Sequence, residues 1–188
     1  VPPFIDTHHH LWDLENNPYP WLQEGIDHFV GDYSQIRKSY LIKDLISDAD
    51  GLNLFKSVHV QAEWDHNLDP VGETAWLQKV SESSISNNMP NAIISYADFL
   101  DKNVEETIER HSQFSNWRGI RYMLNWDEDP KFRFAEQNNL MSNSKWLNGY
   151  KSLLKYDASF DLQVWPWQIE EGANLARTFP EIPIILNH

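Results

Sequence analysis

The amino-acid sequence predicts an α/β protein whose strands form a parallel sheet. Short runs of β-branched and aromatic residues alternate along the chain with stretches that carry apolar residues at helical spacing. Six of the runs have the composition of strands, and five of the intervening stretches have that of helices. Strands that alternate with helices pair in parallel, because each helix carries the chain back to the starting edge of the sheet.

The predicted elements follow one another in a regular order. The strands are expected at Phe4-His8, Lys56-Ala62, Ala92-Phe99, Gly119-Leu124, Phe160-Trp165 and Ile182-His188. The helices are expected around Ile42-Ala49, Val71-Ser83, Val104-Phe114, Lys145-Tyr156 and Ile169-Phe179. Two long irregular segments, Asp13-Ser39 and Asn125-Asn143, follow the first and fourth strands, at the sheet edge where α/β proteins bind ligands. We expect these segments to shape a pocket.

Composition limits the kind of protein and its partners. A chain of 188 residues with 41% hydrophobic content is enough for one sizeable core, so residues 1-188 are expected to form one domain. Cysteine is absent, which excludes disulfides and thiolate chemistry. A net charge of -13 argues against nucleic acid or an anionic membrane as partner, and no stretch has the apolar length of a membrane span. A cytoplasmic location is the simplest expectation. The oligomeric state stays open.

An Asp-Thr-His-His-His motif, residues 6-10, ends the first predicted strand. On a strand His8 and His10 share one face, whereas His9 points to the opposite face and is expected to be structural. Two neighbouring imidazoles at a strand end can clamp a divalent metal ion or polarise a carbonyl group. The motif therefore predicts a hydrolase active site. The alternatives are a chance cluster, a solvated edge or a tag remnant, the last being disfavoured by the apolar residues around the motif.

Further candidates for ligand binding are polar or aromatic residues in the later strands. Arg121 lies in the middle of the fourth strand, where a charge is costly without a partner or ligand, and its planar guanidinium suits a carboxylate or carbonyl oxygen. Gln61 shares one face of the second strand with His59 and Glu63 and is a candidate pocket amide, with an interior polar layer as the alternative. Trp165, one of nine tryptophans, is a candidate for stacking on a sugar ring, with core packing as the alternative.

Several motifs then carry a family resemblance over nearly the whole chain. They occur in one order: Ile5 to Trp12, Tyr19 to Leu22, Val58 to Ala62 with Glu73 and Thr74 following, Arg118 to Arg121, Phe160 to Pro166, and Ile184 to His188. With these motifs the chain resembles the amidohydrolase-2 branch of the amidohydrolase superfamily, which includes fuconolactonase-like and pyrone-dicarboxylate-lactonase-like enzymes. The resemblance implies a (β/α)8 TIM barrel.

The resemblance also implies which residues act. It assigns His8, His10 and His188 to catalysis and to binding of one divalent metal ion, above all zinc, with metal-independent catalysis as the alternative. Gln61, Arg121, Gln163 and Trp165 are the expected substrate-binding residues. Such a barrel has eight strands in about 250 residues. The chain is therefore expected to be a barrel incomplete at its C-terminus, with the family's acid/base aspartate beyond it, and to be poorly stable and inactive alone.

Three functions follow as hypotheses. The first is hydrolysis of a cyclic ester, a sugar-derived or dicarboxylic lactone, by attack of water on the carbonyl carbon. The second is metal-dependent decarboxylation by a related enzyme of the same superfamily. The third is a non-catalytic binding protein, if the chain truly ends at His188. The sequence does not distinguish which lactone would be the substrate.

Overall fold

The computed structural model describes residues 1–25 and 28–188 and contains six parallel strands. The strands succeed one another in chain order in a single sheet. They are β1 (Phe4–His9), β2 (Leu54–Val60), β3 (Ala92–Ser95), β4 (Trp117–Met123), β5 (Ser159–Gln163) and β6 (Ile184–Asn187). The predicted number, order and type of strands are therefore confirmed, with ends that differ by a few residues.

Five α-helices connect the strands at the predicted places. They are α1 (Ile42–Asp48), α2 (Val71–Ser81), α3 (Val104–Ser112), α4 (Ser144–Tyr150) and α5 (Ile169–Thr178). Shorter helical turns lie in the connections at Trp21–Gly25, Ser34–Ile36, Pro130–Phe132, Leu140–Ser142, Lys151–Tyr156 and Pro166–Gln168. Within the described parts of the chain, no helix is both long enough and apolar enough to span a bilayer.

Two elements differ from their predicted form for local reasons. The third strand ends at Ser95 and not at Phe99, because the chain turns at Asp98, whose carboxylate accepts a hydrogen bond from the Leu100 backbone N–H at 2.8 Å. The single helix predicted over residues 145–156 is instead α4 followed by a tighter 3₁₀ segment. Its start is fixed by Asn143, whose side-chain oxygen accepts from the backbone N–H groups of Lys145 and Trp146.

The described residues group into two compact units. The first unit comprises Val1–Ser95 and Phe114–Trp117, and the second comprises Tyr96–Gln113 and Arg118–His188. In the first unit, α1 and α2 pack their apolar sides against the strands around a core of fully or nearly fully buried side chains: Leu11, Ile42, Leu45, Leu77, Met89 and Ile93. A smaller apolar cluster lies under the segment after β1, where Tyr19 and Leu22 pack against Ala62, two residues after the end of β2.

Aromatic rings form the core of the second unit. The Trp146 ring stacks on Tyr150 with 5.2 Å between centroids and meets the edge of Phe99 at 5.1 Å. Phe160 on β5 meets the Tyr150 ring at 5.0 Å. Aromatic pairs in these edge-to-face and offset geometries stabilise beyond their area of contact, so this cluster holds α4 against the sheet.

The close approach of α4 to residue 99 generates a stability prediction. A Cβ atom on Gly149 would overlap the Phe99 backbone carbonyl, which cannot move as a side chain could. We expect Gly149→Ala to lower the free energy of unfolding by about 1–3 kcal/mol, despite the higher helix propensity of alanine. The matched control is Asn148→Ala, an exposed neighbour in the same helix, which should be neutral or stabilising. Urea unfolding of both variants checks this, and equal stabilities would contradict the packing argument.

Candidate active site

The end of β1 brings two histidines together in the first unit. The rings of His8 and His10 lie 5.0 Å apart between centroids, with their planes nearly perpendicular. This confirms that the two side chains share one face of the strand. Two imidazoles that bind one tetrahedral ion through ring nitrogens at about 2.0–2.1 Å have ring centres about 5 Å apart. The pair therefore has the spacing that a shared metal ion requires.

The hydrogen bond made by His10 fixes which of its nitrogens could bind a metal. Its Nδ1 atom lies 2.7 Å from the carbonyl oxygen of Val60, the last residue of β2. A carbonyl oxygen can only accept, so Nδ1 carries a proton, and in the neutral imidazole Nε2 carries the lone pair. Metal-binding histidines are commonly oriented by such a bond on the opposite nitrogen. The His10 ring is thus held in the tautomer that a metal ligand needs.

His9 and His59 are both buried and contact each other, with 5.5 Å between their ring centroids. The Nε2 atom of His9 lies 3.0 Å from the Ser57 hydroxyl of β2. Burial lowers the pKa of His9 to about 4, so the ring is neutral at pH 7. His59 is fully buried and donates from Nε2 to the Leu11 carbonyl at 3.3 Å. The His59 ring lies 6.1 Å from that of His10.

Gln61 follows β2 and bonds to Glu63, two residues further along the chain. Its backbone N–H donates to Ile94 of β3 at 2.7 Å, which extends the strand pairing by one residue. Its side-chain oxygen accepts from the Glu63 backbone N–H at 2.7 Å, and its side-chain nitrogen donates to the Glu63 carboxylate at 2.5 Å. The other carboxylate oxygen of Glu63 lies 3.5 Å from Nε2 of His66.

Glu73 anchors the segment after β1 to the end of β2. This carboxylate on α2 is 2% exposed, and it accepts both the Tyr19 hydroxyl and the Ala62 backbone N–H at 3.0 Å. Burial, together with the Glu73 charge and its bond to the hydroxyl, raises the pKa of Tyr19 far above its usual range. Trp21 adds a bond from its indole nitrogen to the Ala62 carbonyl at 3.0 Å. These bonds fix the segment after β1 to the residues that follow β2.

In the second unit, the strands carry a layer of buried polar groups. Arg121 is 4% exposed, and its Nη1 donates to the Gln163 side-chain oxygen at 3.1 Å. Asp161 lies beside Arg121 in the β4–β5 register and accepts from the Asn187 amide nitrogen at 2.9 Å. Burial raises the pKa of the Asp161 carboxyl, an effect that the Asn187 bond and the Arg121 charge oppose. Arg121 therefore lies among buried polar side chains, namely Gln163 and Asp161, and not among apolar ones.

His188 follows β6 in the second unit. Partial burial and the nearby Arg121 charge both lower the pKa of its imidazole, which favours the neutral form. A neutral imidazole is the form that binds metals or accepts protons. Its assignment to the histidine set stays a prediction. Among residues 1–25 and 28–188, no three His, Cys, Asp or Glu side chains are arranged as a metal-binding group.

Trp165 lies after β5, where a buried glutamine organises the backbone. Trp165 donates from its indole nitrogen to the Phe132 carbonyl at 2.8 Å and stacks on Trp167, with 5.8 Å between ring centroids. Gln168 accepts the backbone N–H groups of Trp126 and Trp165 and donates to the Leu124 carbonyl at 2.9 Å. This one side chain therefore joins the segment after β4 to the segment after β5.

Sequence reasoning missed several of these residues. Glu73 was only part of a motif, although a carboxylate on the buried face of a helix needs a partner and could have drawn attention. Asp161 and Asn187 interrupt apolar strand runs just as Arg121 does. The same argument from the cost of burial would have found them. The role of Gln168 had no signal in sequence, because its partners are backbone groups far along the chain.

Comparison with known proteins gives two curated relatives, whereas no family model matches the chain. The chain is 42% identical over 185 residues to the uncharacterized protein y4mH of Sinorhizobium fredii, covering 98% of the chain and 61% of that protein. It is 20% identical over 190 residues to the L-fucono-1,5-lactonase of Burkholderia ambifaria, covering 98% of the chain and 56% of the enzyme. The chain thus spans rather more than half the length of these relatives.

Solved structures match over the same extent. An amidohydrolase from Burkholderia multivorans with bound HEPES superposes with a TM-score of 0.72 at 19% identity, covering 98% of the chain and 56% of the enzyme. Amidohydrolase 2 from Bifidobacterium longum subsp. infantis superposes with a TM-score of 0.66 at 16% identity, covering 98% of the chain and 60% of that protein. The predicted resemblance is confirmed at the level of the fold, which the chain shares with these amidohydrolase structures. So is the predicted fold class, six strands of the (β/α)8 barrel.

Two further solved structures of similar fold contain a bound metal ion or a bound organic acid. The Burkholderia multivorans enzyme has also been solved with bound zinc, and that structure superposes with a TM-score of 0.69 at 19% identity over 98% of the chain and 57% of the enzyme. A probable 2-pyrone-4,6-dicarboxylic acid hydrolase from Acinetobacter baumannii, with citric acid bound, superposes with a TM-score of 0.61 at 14% identity over 98% of the chain and 57% of the protein. These likenesses show that the chain shares the fold of these proteins over nearly its whole length.

The burial of His9 generates a pH prediction. Its folded pKa of about 4 is below the value near 6.5 of an unfolded histidine. Between these values only the unfolded chain takes up the proton, so stability is lost as the pH falls. We expect the free energy of unfolding to drop by about 2 kcal/mol between pH 7.5 and pH 5 because of this residue.

Urea unfolding of chelator-treated wild type and His9→Gln at the two pH values measures this effect. The variant cannot bind the extra proton, so its stability should fall less than that of wild type by the stated amount. Thr7→Ala, an exposed position of the same strand, serves as control and should keep the wild-type pH dependence. An identical pH dependence in His9→Gln and wild type would rule out His9 as the source.

Proposed function

We propose that the protein containing this chain is a hydrolase that opens a cyclic ester. The observation that carries the proposal is the pair of histidines at the end of β1, with the tautomer of His10 fixed by Val60 at 2.7 Å. The alignment of 98% of the chain with an L-fucono-1,5-lactonase supports a lactone as the substrate. In the reaction, water attacks the carbonyl carbon, the ring C–O bond breaks, the ring oxygen takes a proton, and the acid product releases one at neutral pH.

His8 and His10 are proposed to hold one divalent metal ion, with zinc as the first choice. Their ring separation fits such an ion, as does the tautomer of His10 in which Nδ1 carries the proton, and an amidohydrolase of similar fold has been solved with bound zinc. A bound divalent ion supplies Lewis acidity that polarises the carbonyl group and activates water. His188, whose lowered pKa favours the neutral imidazole, is proposed as a further member of the histidine set.

Arg121, Gln163 and Trp165 are proposed to bind the substrate. Arg121 presents a planar, permanently charged group whose orientation the Gln163 side chain fixes at 3.1 Å, and such a group matches a carboxylate or carbonyl oxygen. Trp165 is held by the bond from its indole nitrogen to the Phe132 carbonyl and by stacking on Trp167, and its ring is proposed to meet a sugar ring of the substrate. A ring face suits the apolar side of a sugar.

The proposed function is tested by proton release from lactones. The natural full-length protein is mixed with sugar-derived δ-lactones and with a pyrone dicarboxylate in weak buffer, before and after treatment with a chelator and re-addition of zinc. Catalysed proton release with formation of the open acid supports the proposal. Evolution of carbon dioxide would identify a decarboxylase instead, and no turnover of any lactone would reject the hydrolase. Activity that survives complete removal of metal would reject the metal role.

Substitution of the fixed histidine should remove most of the activity. We expect His10→Ala to lower kcat/KM by a factor on the order of 10² or more, because a ligand and its orienting bond to Val60 are both lost. Thr7→Ala on the same strand is the control and should leave kcat/KM within about 2-fold of wild type. Circular dichroism confirms folding of both variants. A folded His10→Ala variant with wild-type turnover would contradict the assigned role.

Replacement of Arg121 should mainly weaken the binding of carboxylated substrates. We expect Arg121→Ala to raise KM for a lactone bearing a carboxylate by about 10- to 100-fold, with a smaller change for an uncharged lactone. Arg121→Lys keeps the charge without the planar fork, and it should recover part of the loss. Steady-state kinetics on the two substrate types measure this. Equal rises in KM for both types would show that Arg121 does not read the carboxylate.

A further inference from the structure

Trp12 continues the alternation that brings His8 and His10 to one face of β1. The three residues occupy every second position, and the chain is still extended at residue 12, because Trp12 pairs with Tyr40 in an antiparallel β-bridge. Side chains two positions apart on an extended chain point to the same side. The Trp12 ring accordingly lies almost parallel to that of His10, with 6.2 Å between centroids and 20° between planes. Trp12 therefore stacks on one member of the histidine pair.

Several contacts within the first unit hold Trp12 in this position. Its indole N–H donates to the Lys38 carbonyl at 2.8 Å. Its backbone N–H donates to the Tyr40 carbonyl at 3.0 Å, and its carbonyl accepts from the Tyr40 N–H at 2.9 Å. The Trp21 ring meets the Trp12 ring nearly at right angles, with 6.0 Å between centroids. Because both its backbone and its one polar side-chain atom are bonded, Trp12 is a fixed support for the ring stacked on it.

The same contacts connect the histidine pair to more distant parts of the first unit. Trp12 and Tyr40 flank the segment of residues 13–39, and their two backbone bonds close that segment at its base. The Tyr40 hydroxyl donates to the carboxylate of Asp48, the last residue of α1, at 2.8 Å. The base of the segment and the end of α1 are thus linked to His10 through one indole ring.

A stacked indole affects a metal-binding imidazole in two ways. The Val60 bond sets the tautomer and orientation of the His10 ring, and the flat face of Trp12 opposes rocking of the ring out of that orientation. The second effect is electrostatic. An imidazole bound to a metal ion gains positive charge, and the electron-rich face of an indole attracts a positive group. Both effects favour the metal-bound state of His10 over the free state.

We propose that Trp12 is a positioning residue that supports His10 as a metal ligand, and that the base of the 13–39 segment holds Trp12 in place for this role. The inference rests on the metal role of His10 in the proposed function and adds a residue to it. An indole N–H can only donate, so Trp12 acts through His10 and not as a ligand itself. The affinity for a divalent ion should therefore depend on an aromatic ring at residue 12.

The test measures zinc affinity in the metal-depleted, natural full-length protein. The dissociation constant for Zn²⁺ alone is determined by competition with a chromophoric chelator. We expect Trp12→Leu to raise it about 10-fold, because the supporting ring is lost. Trp12→Phe keeps an aromatic face without the bond to Lys38, and it should stay within about 3-fold of wild type. Trp12→Met, a second non-aromatic replacement, should weaken zinc binding as Trp12→Leu does.

The matched control is Trp76→Leu, the same substitution at a half-buried tryptophan of α2 that packs against the apolar core of the first unit. It should leave the dissociation constant within about 2-fold of wild type. Circular dichroism confirms that each variant is folded. Wild-type zinc affinity in the folded non-aromatic variants overturns the inference, and so does a loss in Trp12→Phe or in Trp76→Leu as large as that in Trp12→Leu.

A second readout depends neither on metal nor on activity. The Nδ1–H signal of His10, assigned by its loss in His10→Gln, is recorded by ¹⁵N–¹H NMR of the metal-free protein at pH 8. Its hydrogen exchange should be slow in wild type and Trp12→Phe and about 10-fold faster in Trp12→Leu, whose His10 ring rocks away from Val60 more often. An unchanged exchange rate in folded Trp12→Leu overturns the positioning role.

The two proposals fail in different ways. A wild type that binds no zinc rejects the metal role of His10, and this inference with it. Zinc binding that depends on Trp12 as described, without turnover of any lactone, rejects the hydrolase alone and leaves the inference standing. In an active protein, turnover by Trp12→Leu should be low at limiting zinc and should recover in excess zinc, whereas a loss caused by misfolding would not recover.

Discussion

Parallel pairing of the strands is the constraint on which the candidate site depends. Because all strands of a parallel sheet run in one direction, the residues at their carboxyl ends lie at one edge. In the first unit this pairing brings His10 to Val60 across 50 positions of sequence. In the second unit the register places Met123 beside Gln163, and Gln163 beside Asn187. Polar residues that are isolated in the sequence thus become neighbours through backbone hydrogen bonds alone.

Several of the buried polar side chains near these strand ends bond to backbone partners. His10 uses the Val60 carbonyl, Glu73 uses the Ala62 N–H, and Gln168 uses three backbone groups. A backbone partner cannot rotate away, so each of these side chains has one stable orientation. The result is a set of functional groups whose geometry is determined before any ligand arrives, which is the condition for efficient binding and catalysis.

The sequence predicted the fold well because its signals are local. Strand and helix periods, the alternation of element types and the sharing of one face by His8 and His10 all follow from spacing along the chain. The networks around Glu73 and Asp161 were not predicted, because their partners are distant in sequence and meet only through strand register. The left-handed backbone conformation of Glu63 was also not predicted, since glutamate is not a residue whose presence indicates positive φ.

The Gln168 side chain has a consequence for how this protein could change during evolution. It bonds to the backbone at Leu124, Trp126 and Trp165, so one side chain fixes the positions of two segments that are separate in sequence. An insertion or deletion in either segment would alter the support of the other. New substrate preferences at this edge would therefore arise more readily by exchange of side chains on an unchanged pair of loops than by grafting of either loop alone.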